Sequence, residues 1–422
     1  MDKFVIEGGA PLKGTIAISG SKNAALPLMA ASLLADTPSI IHNIPRLQDI
    51  YTFNNVLRVV GAKVDFHDQE NKLVIDPSNA AHLEAPYDLV RKMRASFYML
   101  GALVGKHGYA KVSLPGGCAW GPRPVDLHLK GMKAMGIDID LDKGYVIAKA
   151  EKNLKPASFT LEPSSVGATV NLILASALRS QKFTINNAAK EPDVVQLCNF
   201  LVKMGARIEG IGTDSLTIYG VESLQGVEVS NDPDRIELGT FMIMGTMHPE
   251  SELTLTGCNP EQLGTFTKML EKTGTKITID GTTIHVKAPK ELKPVSIEAE
   301  IYPGFPTDMQ AQWATMLTQA NGDSTVTDNV YYDRFSYVPE LTRLGASMYL
   351  DKNTVHITGK TPLEGASVMS TDLRASVSLV LAAMVAENTT EVLRVYHLDR
   401  GYESLEQKLT AVGAKIKRIE AN

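Results

Sequence analysis

A glycine followed by a short alternating strand occurs six times along this chain, as VGAKVDF, MGIDIDL, MGARIEG, TGTKITI, LGASMYL and VGAKIKR. The glycines are Gly61, Gly136, Gly205, Gly274, Gly345 and Gly413, and neighbours are 68 to 75 residues apart. A period this regular means that one supersecondary unit is repeated six times in the 422 residues. Any fold that cannot be cut into six equal parts is excluded.

Each unit has the same internal order. An early helix comes first, as in NAALPLMAASLLA, VGATVNLILASAL and DLRASVSLVLAAMVA. Such helices are apolar or small on nearly every face, which marks them as buried. A strand follows, such as KFTINN, and then an amphipathic helix such as PDVVQLCNFLVKM. That second helix stops at the repeat glycine, a natural C-terminal cap. Two short strands complete a β-α-β-α-β-β unit. The strands mostly alternate, so each sheet keeps one face wet. The expected fold class is α/β: two inside-out, barrel-like domains of three βαβαββ units, with buried helices and outer sheets. KFVIEGG at the N-terminus lacks its own early helix and is expected to pair with AKIKRIEA at the C-terminus. Residues 1–21 then join 233–422 in the second domain, and 22–232 form the first, which carries the Cys118 loop. The crossings near 20–22 and 231–233 would act as a hinge, with ligands in the cleft between the domains.

Composition narrows the ligand. The chain is 44% hydrophobic and 21% charged, as ordinary soluble proteins are. MDKFVIEGGA has no signal-peptide core and no apolar run spans a bilayer, so a cytoplasmic protein without membrane partners is expected. A net charge of −5 argues against nucleic acid. Three cysteines are too few for a disulfide framework or a zinc site, and nine histidines show no ligand spacing, so no metal is expected. Neither a P-loop nor a G-x-G-x-x-G occurs, and no cofactor is expected.

An anionic ligand would need a local cluster of cations. Lys22, Arg94, Arg123, Arg334, Arg374 and Arg400 fall at helix starts or strand ends of the repeat, where free N–H groups and guanidinium forks suit phosphate or carboxylate. Asp308 and Asp372 begin early helices, where capping is the expected role. A carboxylate among arginines could instead act as a base. Cys198 reads as core, and Cys258 is assigned nothing. Cys118, in LPGGCAWGPRP, differs from both: a thiol on an exposed glycine-rich loop near Arg123 is expected to be acidic and reactive.

The motifs SGSKNAALP, MRAS, LPGGCAWGPRPVDLHL, SVGAT, PDRIELGTF, FPTDMQAQ, DLRAS and DRGYE, in this order, resemble the enolpyruvyl transferase family, in particular its UDP-N-acetylglucosamine branch. The resemblance implies transfer of enolpyruvate from phosphoenolpyruvate to the sugar 3-hydroxyl, with release of phosphate, as the first committed step of peptidoglycan synthesis. It implies that Lys22, Asn23, Arg123 and Arg400 hold phosphoenolpyruvate, and that Cys118 is the proton donor. Arg94, Arg123, Pro124, Val125, Asp126, Leu127, Ser165, Val166, Gly167, Asp308 and Val330 would meet the nucleotide sugar. Asp308 would take the hydroxyl proton, with Asp372 and Arg374 in support. A cysteine on the loop further implies alkylation by the epoxide fosfomycin. A monomer acting on two small molecules is expected. Gln48, Trp120 and Pro163 depart from the pattern of some relatives, and none of them removes a catalytic group. The rivals are a shikimate-pathway enolpyruvyl transferase, which lacks the cysteine loop, and a six-repeat clamp, whose inward helices would have to be basic.

Overall fold

The computed structural model describes residues 2–90, 93–115 and 125–420. The chain divides into two compact units, Met1–Ser19 with Pro233–Asn422, and Gly20–Asp232. Gly20 and Ser21 thus fall two residues on the other side of the expected division. The bonds of Ser21 explain why. It caps the helix Lys22–Ala31 through its hydroxyl, its N–H donates to the Asp232 carbonyl, and its own carbonyl accepts from Asn231.

Among the described residues each unit holds three four-stranded sheets, all on one plan. In Ala157–Thr160, Phe183–Asn186, Arg207–Glu209 and Ser215–Tyr219, the first strand lies parallel to the second. The second is antiparallel to the fourth, and the fourth to the third. A parallel step needs a crossover, and the early helix Val166–Ser176 supplies it. Two sheets take their parallel edge strand from far along the chain: Glu228–Ser230 lies beside Ser39–His42, and Lys13–Ala17 beside Glu252–Thr256. Lys3–Glu7 pairs antiparallel with Lys415–Ile419, as the sequence suggested, and also with Thr389–Leu393. The N-terminal segment therefore completes two sheets of the unit in which the chain ends.

The early helices are buried on all sides. Ile236 to Met244, Ala168 to Ser176 and Arg374 to Met384 are each continuous buried runs. The second helices bury one stripe; Pro192–Met204 buries Val194, Leu197, Cys198, Leu201 and Met204. Helices therefore form the centre and sheets the outside, with one apolar core in each unit. No helix among the described residues is long and apolar enough to cross a membrane.

The six repeat glycines share one backbone state, with φ between 96° and 111°. An L side chain there costs about 1–2 kcal/mol. At Gly61 a Cβ would also stand 2.4 Å from the Asn79 carbonyl oxygen. This turn sends the chain from the amphipathic helix into the sheet.

Candidate active site

The unit Gly20–Asp232 presents most of its expected site residues at helix starts. Lys22 and Asn23 open the helix Lys22–Ala31, and Arg94 opens the 3-10 turn Arg94–Phe97. Val125 precedes the helix Asp126–Met135, in which Leu127 packs against the core. Ser165 caps Val166–Ser176 by accepting from the Ala168 N–H. Lys22 is not a bare cation: its Nζ lies 3.0 Å from the carboxylate of Asp49, with the two side chains only 12% and 6% exposed. Asp126 is tied to Lys130 one turn on, and that bond lowers its carboxyl below the ordinary value.

His128 and Asn171 join three of these helix starts. Asn171 is fully buried; its Oδ1 accepts the Gly101 N–H at 2.9 Å, and its Nδ2 donates to the Phe97 carbonyl at 3.1 Å. The amide thus adds a side-chain acceptor and a side-chain donor to the first turn of the helix Tyr98–His107, just after the turn that carries Arg94. The same Nδ2 donates to His128 Nδ1 at 2.8 Å, so the proton of the neutral ring sits on Nε2. Burial first, and then the charge of Arg94, lower the imidazole to about 3. A Cβ on Gly167 would stand 3.2 Å from this ring, so glycine lets the helix start lie against it.

The unit that holds the C-terminus builds its site around Asp308. Arg334 Nη1 stands 2.6 Å from Oδ1, and Arg374 Nη2 stands 3.0 Å from Oδ2. The guanidinium groups are 10% and 7% exposed, the carboxylate 25%. Burial alone would raise the Asp308 carboxyl. Arg374 and Arg334 outweigh it and hold the group well below the usual carboxylate range. Arg374 in turn is pulled down by burial and pushed up further by Asp308, so it stays charged.

The capping expectation needs correction for one of the two aspartates. Asp372 caps the helix Leu373–Val385, its Oδ1 accepting from the N–H groups of Arg374 and Ala375, while Oδ2 accepts from Ser336. Asp308 caps nothing; it sits in the short turn Thr307–Met309, and two buried charges take its oxygens. Capping lost here because an ion pair with two buried guanidinium groups outweighs one N–H bond. Arg334 is also not at an element end, but in the loop before the helix Tyr337–Arg343. Arg400 closes the 3-10 segment Val395–Arg400, and its charge and that of Asp372 both act on His397.

Cys118, Arg123 and Pro124, with Trp120, lie outside the described residues. Cys198 is core, and burial pushes its thiol up to about 12. Cys258 is also buried, donating to the Thr282 carbonyl. Among the described residues no group of three His, Cys, Asp or Glu side chains is placed to hold a metal.

Sequence reasoning missed Asp49, Asn171, Thr307, Asp328 and Tyr402. Tyr402 lies in DRGYE, and its hydroxyl is 3.4 Å from Arg374 Nη1 and 2.9 Å from Thr240. A polar residue inside an otherwise apolar early helix was the available signal for Asn171 and Thr240.

Fold and candidate site define a class: inside-out α/β proteins with buried carboxylate–cation pairs and with cations at several helix starts. The chain belongs to the EPSP synthase (3-phosphoshikimate 1-carboxyvinyltransferase) family, whose model matches residues 6–409. A UDP-N-acetylglucosamine 1-carboxyvinyltransferase of Chloroherpeton thalassium is 52% identical over 420 residues, covering 99% of this chain and 97% of the relative. One of Koribacter versatilis is 48% identical over 421 residues, covering 99% and 97%. Among solved structures, the enolpyruvyl transferase NikO from Streptomyces tendae superposes with a TM-score of 0.91 at 27% identity, covering 100% of this chain and 99% of that one. EPSP synthase from Acinetobacter baumannii shares the fold, with a TM-score of 0.78 at 17% identity and full coverage of both chains.

Proposed function

We propose that this chain is a transferase that moves the enolpyruvyl group of phosphoenolpyruvate to the 3-hydroxyl of UDP-N-acetylglucosamine, releasing phosphate in the first committed step of peptidoglycan synthesis. The observation that carries this reading is the 52% identity, along the whole length, to a relative named for that acceptor. The hydroxyl oxygen bonds to C2 of phosphoenolpyruvate while C3 gains a proton and the hydroxyl loses its own. The tetrahedral adduct then expels phosphate and gives back the C3 proton, which restores the double bond.

On this reading Cys118 delivers the C3 proton, and Lys22, Asn23, Arg123 and Arg400 hold the phosphate and carboxylate. Arg94, Val125 to Leu127, Ser165 to Gly167 and Val330 meet the nucleotide sugar, with Arg123 and Pro124 beside them. Asp308 orients the 3-hydroxyl. Held by two arginines it is a weak proton acceptor whose oxygens are fixed in direction, and it receives the hydroxyl proton as C–O bond formation makes that proton acidic. Asp372 supports this by fixing the start of the helix that carries Arg374. Cations matched to the adduct's charge lower the barrier. The free thiols of Cys198 and Cys258 fit a reducing cytoplasm, where we place the enzyme as a monomer.

Phosphate release from phosphoenolpyruvate is to be measured with UDP-N-acetylglucosamine and, separately, with shikimate 3-phosphate. Turnover with the nucleotide sugar alone is expected. Turnover with shikimate 3-phosphate alone would replace this reading by the second one, the activity for which the family is named.

A further inference from the structure

The Asp308 clamp is held from behind. Thr307 Oγ donates its one proton to Asp328 Oδ2 at 2.6 Å. Its lone pair therefore faces Arg334, whose Nη1 donates to it at 3.2 Å while also meeting Asp308. Asp328 is fully buried, and its other oxygen accepts the N–H groups of Val330 and Tyr331 at 2.9 and 2.8 Å. Among the described residues Arg334 Nε has no hydrogen-bond partner, so the Nη1 contacts orient the fork, above the Tyr331 ring at 5.4 Å. The Arg334 carbonyl is separately pinned by Gln310 Nε2 at 2.6 Å, and Gln310 by the Tyr337 hydroxyl at 2.8 Å. The backbone of this loop is thus fixed independently of Thr307, and the hydroxyl is left to set the direction of the guanidinium.

We propose that Thr307 is a positioning residue: its hydroxyl, polarised by Asp328, aims Arg334 at Asp308 and couples that clamp to the loop that presents Val330. A hydroxyl between one carboxylate and one guanidinium is directional, because Asp328 can only accept and Arg334 can only donate. Removing it leaves a buried carboxylate one donor short, and the freed guanidinium turns toward Asp328 and away from Asp308. Thr307 reaches the chemistry only through Arg334. The kinetic part of the inference rests on the proposed function; the geometric part does not.

Three variants decide it: Thr307→Val, Thr307→Ser and Asp328→Asn. In Thr307→Val kcat is expected to fall about tenfold, the scale of one hydrogen bond to a charged group, with KM for the nucleotide sugar changed less than threefold. Thr307→Ser should restore kcat, and Asp328→Asn should repeat the loss, because an amide N–H in place of the acceptor turns the Thr307 hydroxyl against Arg334. Guanidinium NMR of Arg334 gives a readout that needs no substrate: slow Nη rotation in the parent chain and in Thr307→Ser, fast rotation in Thr307→Val. Unchanged kcat or unchanged rotation in a folded Thr307→Val would overturn the inference, as would a Thr307→Ser variant that behaves like the valine. If the parent chain proves inactive on UDP-N-acetylglucosamine, the functional reading falls while the NMR series still decides whether Thr307 holds the clamp.

Discussion

Asp308 is paired with two buried arginines, and those ion pairs make it testable by pH. In the folded chain it stays ionised where an unfolded aspartate takes up a proton, near pH 4. Its pairs with Arg334 and Arg374 therefore stabilise the fold above that pH and are lost progressively as the pH falls below it. Asp308→Asn should lower the melting temperature at neutral pH, yet give a shallower decline below about pH 4. On the proposed function its kcat should fall about a hundredfold or more, the usual scale for a lost acid–base group. A parallel acid decline in parent and variant would show that these ion pairs do not set acid stability. The cysteines give a second test. Cys198 and Cys258 are buried with raised thiols, so neither is a nucleophile at neutral pH. Intact mass after fosfomycin should show one adduct, and peptide mapping should place it on Cys118; an adduct on Cys198 would contradict the packing described above.

At the level of elements, the early helices are more than apolar filler. Asn171 lies in the middle of one and joins the helices Tyr98–His107 and Asp126–Met135 through Gly101, Phe97 and His128. A Cβ on Gly101 would stand 2.4 Å from the Asn171 backbone oxygen and 2.6 Å from its Oδ1, so the glycine is what admits the amide. Asn171→Leu leaves buried polar groups without partners and should cost roughly 2–4 kcal/mol, lowering the melting temperature by about 5–15 °C. Calorimetry would check it, and an unchanged melting point would mean that the gap closes without loss. The six-fold order of helices and strands was legible because burial imposes period and composition: helices surrounded by protein have no polar face, and sheets with one wet face alternate. The second helices were legible because each ends at a glycine whose positive φ other residues resist. The amide bridge was not legible, because nothing in VGATVNLILASAL says which backbone groups will face Asn171 once three helices pack.

Across the whole molecule, the chain's first and last segments belong to one unit. Lys3–Glu7 lies between two strands of one sheet, and Lys13–Ala17 edges another. Deleting residues 2–17 should therefore unfold the unit that contains Pro233–Asn422 while Gly20–Asp232 keeps its exchange protection. Hydrogen exchange would test this, and equal loss in both units would show that they fold as one. Pairing of the N-terminal strand with the C-terminal one could be read from the repeat, since KFVIEGG has no early helix of its own. The second N-terminal pairing, and the placing of Gly20 and Ser21, depended on hydrogen bonds to Thr256, Asp232 and Asn231 that local pattern does not record. By itself the sequence determined the six units, their inside-out layering and the cationic helix starts, because periodicity and capping act over a few residues. Only the tertiary structure decided that Asp308 is clamped and not a cap, that Lys22 is paired with Asp49, and that Thr307 stands between Asp328 and Arg334. Those are contacts between residues up to 66 positions apart, and electrostatic partnership depends on distance in space, about which local sequence pattern is silent.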